Sequence, residues 1–129
     1  MRAPNAVGNC HRFEWTPGTD GWAGTYWQFP DGNWGETGGF SMPAGATSVR
    51  FSAWGATGSE VVSFGSGMTN VDGYDAKLDD VQLTTTPTEY EISLANAQYG
   101  PVVGGFRWIA TDAMAPIVFS VDNIRWVND

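Results

Sequence analysis

Residues 48–54 read SVRFSAW, and their strict alternation indicates a β-strand with one buried face. Successive side chains of a strand point to opposite sides, so every second residue shares a face. The apolar face of this segment consists of Val49, Phe51 and Ala53. The opposite face consists of Arg50, Ser52 and Trp54. A strand of this kind needs a second layer to cover its apolar side, which favours a sandwich of two sheets.

The rest of the chain repeats this pattern. Short runs of β-forming residues are separated by Gly, Pro, Asn or Asp at spacings of about ten residues. The pattern predicts an all-β antiparallel sandwich of jelly-roll type, with about nine strands and no significant helix. The predicted strands are residues 10–15, 22–29, 39–42, 48–53, 60–66, 81–84, 89–93, 103–109 and 116–127. The length of 129 residues predicts one domain, 1–129, with residues 1–8 as a flexible extension.

The charge balance argues against two classes of partner. Six basic and fourteen acidic residues give a net charge of −8, and Lys77 is the only lysine. Nucleic acids and anionic membranes are bound through a basic stripe, which this chain lacks. No segment approaches the roughly 20 apolar residues of a membrane-spanning helix, and the N-terminal residues lack the apolar region of a signal peptide. We therefore expect no nucleic-acid binding and no membrane insertion.

The residues that could catalyse a reaction are poorly arranged for it. His11 is the only histidine, and its predicted strand offers no second catalytic or metal-binding partner, so we interpret it as structural. Asp79 and Asp80 would face opposite sides of a strand, although hydrolysis of glycosides needs two carboxylates facing one cleft. Glu14 and Glu60 are possible acids without a partner in the sequence. We expect a protein that is not an enzyme.

Binding of a sugar requires no catalytic groups, only aromatic rings and hydrogen-bonding side chains on one surface. Aromatic residues make up 14% of the chain, with seven tryptophans, while charged residues make up only 16%. A pyranose presents an apolar C–H face to an aromatic ring, and its hydroxyls bond to amides, guanidinium groups and carboxylates. Alternation predicts one outer sheet face that carries both kinds of group, bordered by two aromatic loops. The candidate carbohydrate-binding residues are Trp54, Gln28, Tyr26, Arg50, Arg107, Trp34 and Tyr99.

Several aromatic residues are better explained by packing. Trp27, Phe106 and Trp108 alternate with polar neighbours in a way that predicts burial in the core. Trp22 and Trp34 fit as rings that cover the ends of the sandwich, so Trp34 has two interpretations. Trp54 is close to evenly balanced between core and binding platform.

A metal site is suggested by FSVDNIRW, residues 119–126. By parity, Asp122 shares a face with Val118, Ile124 and Trp126, and an inward-facing carboxylate is costly unless it is paired or bound to a metal. Calcium takes six to eight oxygen ligands, and Glu14 would be the second acid if the first and last strands run side by side. The alternative is that Asp122 caps a turn or pairs with an arginine. The acid-rich residues 70–80 lack EF-hand spacing and are interpreted as a solvated loop.

Three stretches carry a family resemblance: GWAGTYWQF (21–29) with the Asn-Trp-Gly turn (33–35), YGPVVGGFRW (99–108) and VFSVDNIRW (118–126). Together they resemble the β-jelly-roll carbohydrate-binding modules of bacterial polysaccharide-degrading systems, over residues 10–126. The resemblance implies non-catalytic recognition of a neutral polysaccharide, β-glucan or another hemicellulose, by a secreted or cell-surface monomer tethered to a carbohydrate-active enzyme. It also implies a structural calcium. Asp122 matches the aspartate of the closing motif, where Asn123 replaces a frequent second acid.

Two other functions remain open at this point. A structural or adhesive β-sandwich would bury its surplus aromatic residues against a protein partner and would expose a contiguous apolar patch. A small glycosidase or lyase on the same scaffold would need two carboxylates, or a base and an arginine, in one cleft.

Overall fold

The computed structural model describes residues 6, 8–16, 22–28, 40–41, 46–68, 72–94, 101–111 and 116–127. The candidates Trp34 and Tyr99, and most of the predicted extension 1–8, lie outside these ranges. The described strands are β1 His11–Trp15, β2 Trp22–Gln28, β3 Phe40–Ser41, β4 Ser48–Gly55, β5 Val61–Ser66, β6 Ala76–Gln82, β7 Thr88–Ser93, β8 Pro101–Val102, β9 Gly104–Thr111 and β10 Ile117–Val127.

Eight of these strands form two four-stranded antiparallel sheets. Sheet I has the order β1-β10-β4-β7, and sheet II has the order β2-β9-β5-β6. The chain crosses repeatedly between the two sheets, and this order is that of a jelly roll. The short strands β3 and β8 pair with each other. The predicted all-β sandwich is confirmed.

The core lies between the sheets and is rich in rings. Phe51 of sheet I is fully buried, and its ring centroid lies 4.6 Å from that of Phe64 and 4.9 Å from that of Phe106, both in sheet II. Such tilted and edge-on pairs stabilise the core beyond the area they bury. Trp108 is buried and Trp27 packs against the same cluster, as predicted.

His11 belongs to this packing as well. Its ring contacts Trp27 edge-on, with centroids 5.3 Å apart, and lies parallel to Phe13 on its own strand. These ring contacts fit the structural role expected of the only histidine.

Strand β6 corrects the interpretation of residues 70–80 as a solvated loop. Ala76 and Leu78 pack against the core, and so does Val81, which has the opposite parity. The register of β6 against β5 shifts between these positions, and Asp80 adopts a positive φ of 53°. A β-bulge therefore interrupts the alternation of apolar and polar side chains, so the sequence of β6 does not show the regular period of two that is typical of a strand. Simple alternation therefore does not determine the directions in which Asp79 and Asp80 point.

Strand β10 contains a second bulge. Between the pairs Asp122–Ser52 and Arg125–Arg50, β10 has two residues where β4 has one. Asn123 lies in this interval with a φ of 56°, in the left-handed region that Asn tolerates better than most residues. After the bulge, the residues of β10 that simple alternation would place on the outer face point toward the core, and the reverse.

Candidate functional site

The predicted single shelf of rings and polar groups was wrong. Trp54 and Arg50 lie on β4 and therefore on the outer face of sheet I, whereas Tyr26 and Arg107 lie on β2 and β9, on the outer face of sheet II. The core separates these two faces. Alternation indicates which side of a strand faces outward, but it does not indicate which sheet the strand joins.

The outer face of sheet I is dominated by ion pairs. Arg50 Nε donates to Glu91 Oε2 at 3.0 Å, so this candidate already binds a carboxylate. Arg125 pairs with Glu89 on the same face. Trp54 is half-buried beside Ser120 of β10. These exposed pairs contribute little to stability, but they give this face alternating charges in place of an open aromatic platform.

The predicted calcium ligands do not fit one ion. The first and last strands do run side by side, but Glu14 is paired with Val118, four residues before Asp122. That offset is about 13 Å along the strand, whereas calcium ligands lie within about 2.6 Å of the ion. Glu14 is instead exposed and paired with Arg12.

Asp122 is buried, as predicted, but it does not share a face with the apolar residues that follow the bulge. It is 1% exposed, and its register partner is Ser52, which lies on the outer side of β4. Ile124 and Trp126 follow the bulge and pack against the core, so the prediction that they share a face with Asp122 was wrong. Oδ1 of Asp122 accepts the backbone N–H of Asn123 at 2.8 Å. Across the described ranges, no three His, Cys, Asp or Glu side chains group as metal ligands, and the calcium remains a prediction.

A groove of about 340 Å³ lies on the outer face of sheet II. The strand register places four residues in one row across this face. Tyr26 of β2 is paired with Arg107 of β9, and Arg107 is also paired with Gly65 of β5. On its other side, Gly65 is paired with Lys77 of β6. Around this row the groove is completed by residues of the same sheet and of the segment between β5 and β6: Ser63, Phe64, Gly67, Met68, Asp75, Asp79 and Ile109.

Arg107 forms the floor of this groove. Its guanidinium lies over Gly65, where a Cβ would stand only 2.4 Å from Arg107 Cζ. Nη1 donates to the carbonyl of Gly67 at 2.8 Å, and Nη2 forms an ion pair with Asp75. The residue is buried. The predicted sugar-contacting arginine therefore has its main donors engaged within the protein, where they fix Gly67 and Asp75 in place.

Asp72 holds the neighbouring wall. Its Oδ1 accepts the N–H of Val103 at 2.7 Å, and its Oδ2 accepts the N–H groups of Met68 at 2.9 Å and Gly104 at 3.0 Å. The carboxylate thus ties the segment before β6 to the start of β9. The sequence signal was the Asp72–Gly73 pair, which indicates a turn. It does not indicate that the carboxylate reaches another strand.

The sides of the groove offer both a ring and charges. Tyr26 is half-buried on one side, and Lys77 is exposed on the other. Within the described part of the chain, no hydrogen bond or ion pair joins the Lys77 ammonium group to another residue. The charges of the four ionised residues that line the groove cancel, because two are negative and two are positive: Asp75, Asp79, Lys77 and Arg107. For Gln28, at the end of β2, only the backbone belongs to the described part, where it pairs with Gly104.

The most exposed large ring among the described residues is Trp22, at 58%. It was interpreted as a cover for the end of the sandwich, and this was wrong. Ala23 and Trp27 of β2 pack on the core, so Trp22 shares the outer face with Tyr26. The alternation within WAGTYWQ, residues 22–28, already indicated that Trp22 lies on the face opposite to Ala23 and Trp27.

Comparison with protein-family models, with curated proteins and with solved structures found no match for this chain. No helix within the described ranges combines the length and the apolar character needed to cross a bilayer.

Proposed function

We propose that this protein is a non-catalytic carbohydrate-binding module that recognises a neutral polysaccharide, such as β-glucan or another hemicellulose, in the groove of sheet II. The observation that carries the proposal is the combination of an aromatic ring with charged groups that sum to zero, on a chain whose net charge is −8. A balanced set of donors and acceptors suits hydroxyl groups, whereas a nucleic acid or another polyanion would be repelled.

Each side chain has a role in this proposal. The ring of Tyr26 packs against the C–H face of a pyranose. The Lys77 ammonium donates charge-assisted hydrogen bonds to hydroxyl oxygens, and the Asp79 carboxylate accepts them. Arg107 positions Asp75 before the ligand arrives, which reduces the ordering that binding requires. A shallow site of this kind predicts micromolar to millimolar affinity.

The biological setting follows from the same proposal. A secreted or cell-surface module tethered to a carbohydrate-active enzyme would raise the local concentration of that enzyme on its insoluble substrate. Such a module needs no chemistry of its own, so the proposal includes no catalytic step.

The proposal is tested with Tyr26→Ala and its matched control Trp54→Ala, an aromatic substitution on the opposite outer face. Affinity electrophoresis and titration calorimetry with β-glucan, xylan and mannan measure binding, and a reducing-end assay monitors hydrolysis. We expect Tyr26→Ala to lower affinity about tenfold and Trp54→Ala to leave it unchanged.

Three outcomes would contradict the proposal. Loss of binding in Trp54→Ala alone would move the site to sheet I. Release of reducing ends would make the protein an enzyme. Failure of the wild-type protein to bind any of these polysaccharides would overturn the function.

A second candidate, a sandwich that binds a protein partner, is favoured by the exposure of Trp22 (58%) and Val61 (43%) on sheet II. Exposed apolar side chains of this size can mark an interaction site when they form a contiguous patch. This candidate predicts association that depends on concentration in sedimentation velocity and that is lost in Trp22→Ala.

A further inference from the structure

We infer that the saccharide site continues beyond the groove, along β2 and past Gly24 to Trp22, and that it therefore takes a linear glycan chain long enough to reach both rings. This inference rests on the proposed function. It assigns a binding role to Trp22, and it requires a ligand long enough to reach both Trp22 and Tyr26.

The first step is the direction of the path. Trp22, Gly24 and Tyr26 alternate along the regular part of β2, with the register shift only after Trp27. They point to the same side, away from the core. Four residues of strand separate Trp22 from Tyr26, or about 13 Å. A single pyranose cannot contact both rings, whereas a linear chain lying along the strand can.

The second step is the gap between the rings. Gly24 lies inside a seven-residue strand, and the positive-φ residues of the described ranges do not include it. The φ of Gly24 therefore does not require a glycine, although glycine weakens a strand interior. Close packing does favour one, because a Cβ at this position would stand 3.0 Å from the Trp108 carbonyl oxygen, 3.3 Å from Ile109 Cγ1 and 3.7 Å from Trp22 Cζ3. Between Trp22 and Tyr26, the outer face of β2 therefore carries no side chain that would separate the two rings.

The third step is the chemistry of Trp22. An indole that is 58% exposed presents a flat apolar face to solvent, and its ring lies beside Gly24, where a Cβ would stand 3.7 Å from Trp22 Cζ3. A flat exposed ring on the same outer face as the groove suits the C–H face of a pyranose. Val61 is also exposed on sheet II, but it lies on β5, two strands away from β2, and outside this path.

The experiment compares ligand lengths. Titration calorimetry measures cellobiose and cellohexaose, xylobiose and xylohexaose, and mannobiose and mannohexaose against the wild type, Trp22→Ala, Tyr26→Ala and the control Val61→Ala. We expect Trp22→Ala to lower affinity for the bound hexaose about tenfold and to leave the disaccharide unchanged. Tyr26→Ala should weaken both, Val61→Ala neither, and Trp22→Phe should keep most of the hexaose affinity.

The outcomes separate the two proposals. An unchanged hexaose affinity in Trp22→Ala, or an equal loss for both lengths, overturns the extended site while the groove stands. A wild-type chain that binds none of the six probes overturns the proposed function itself. Far-UV circular dichroism of each variant establishes that the fold is retained, and sedimentation velocity detects the alternative in which Trp22 contacts a second copy.

Discussion

Glu60 shows how a single side chain acquires a structural role that its sequence context does not reveal. The sequence leaves it as a possible catalytic acid. In the structure it is 3% exposed, and its carboxylate accepts hydrogen bonds from Thr57 N at 3.0 Å, Thr57 Oγ1 at 3.1 Å and Gly58 N at 2.9 Å. Gly55 permits this approach, because a Cβ there would lie 2.1 Å from Glu60 Oε1. The carboxylate holds the turn after β4.

The hydrogen bonds also shift the acidity of Glu60. Burial alone raises the pKa of Glu60, but hydrogen bonds from the backbone of Glu60, Thr57 and Gly58 and from the Thr57 hydroxyl outweigh it, so the pKa lies below its ordinary value of 4.5. Folding therefore favours the charged form. The resulting stability is present above the ordinary pKa and is lost as the pH falls through the lower pKa of the folded protein.

We predict that Glu60→Gln lowers the free energy of unfolding by about 1–3 kcal/mol at neutral pH. The difference from wild type should shrink as the pH falls from 4.5 through the lower pKa of folded Glu60, because Glu60 becomes protonated first in the unfolded and then in the folded protein. Urea unfolding across this range measures both quantities. Glu14→Gln, at an exposed ion pair, is the control and should change stability by less than about 1 kcal/mol. A deficit in Glu60→Gln that is constant with pH would contradict the role of the charge.

At the scale of elements, the two bulges decide where side chains point. Asn123 in β10 and Asp80 in β6 both have φ values above 50°, and each accompanies a register shift. Each bulge inserts one residue and reverses the alternation that follows. In β10 the bulge turns Ile124 and Trp126 toward the core, while Asp122 remains paired with Ser52.

We predict that Asn123→Val destabilises the protein by about 1–2 kcal/mol, because a β-branched residue is strained in the left-handed region. Asn123→Gly, the matched control, should be as stable as wild type or slightly more stable, since glycine adopts this conformation readily. Urea unfolding measures the difference, and near-UV circular dichroism monitors the packing of Trp126. Equal stability of the two variants would argue that the left-handed conformation at Asn123 is not required.

At the scale of the whole molecule, charge is unevenly distributed. The chain carries −8 in total, while the four charged residues that line the groove sum to zero. Long-range fields of a molecule with this net charge disfavour polyanions, but they act little on an uncharged ligand. The choice between neutral and acidic polysaccharides is therefore a property of the whole chain as well as of the groove.

We predict that affinity for a neutral polysaccharide changes by less than about threefold when salt rises from about 0.1 M to 1 M, where the Debye length falls from about 10 Å to 3 Å. Polygalacturonate is the comparison ligand, and any weak binding to it should strengthen with salt as repulsion is screened. Affinity electrophoresis at several salt concentrations measures both. A steep loss of neutral-glycan binding with salt would contradict this electrostatic account.

Most of the strands and most of the core could be assigned from the sequence, although β6 could not. Alternation is a local property, so Val49, Phe51 and Ala53 could be assigned to the core from seven residues of sequence, and all three are fully buried. The positions of most strands followed from the same signal and from Gly and Pro at the turns. The jelly-roll class followed from the number and spacing of these strands.

Which strands share a sheet, and therefore which candidate residues can meet, depends on the three-dimensional pairing of the strands. Tyr26 and Arg107 come together because β2 pairs with β9, and Trp54 is excluded because β4 lies in the other sheet. Asp72 reaches Val103 across 31 positions of sequence. Such contacts depend on long-range pairing and on bulges that shift its register, and no local pattern encodes either one.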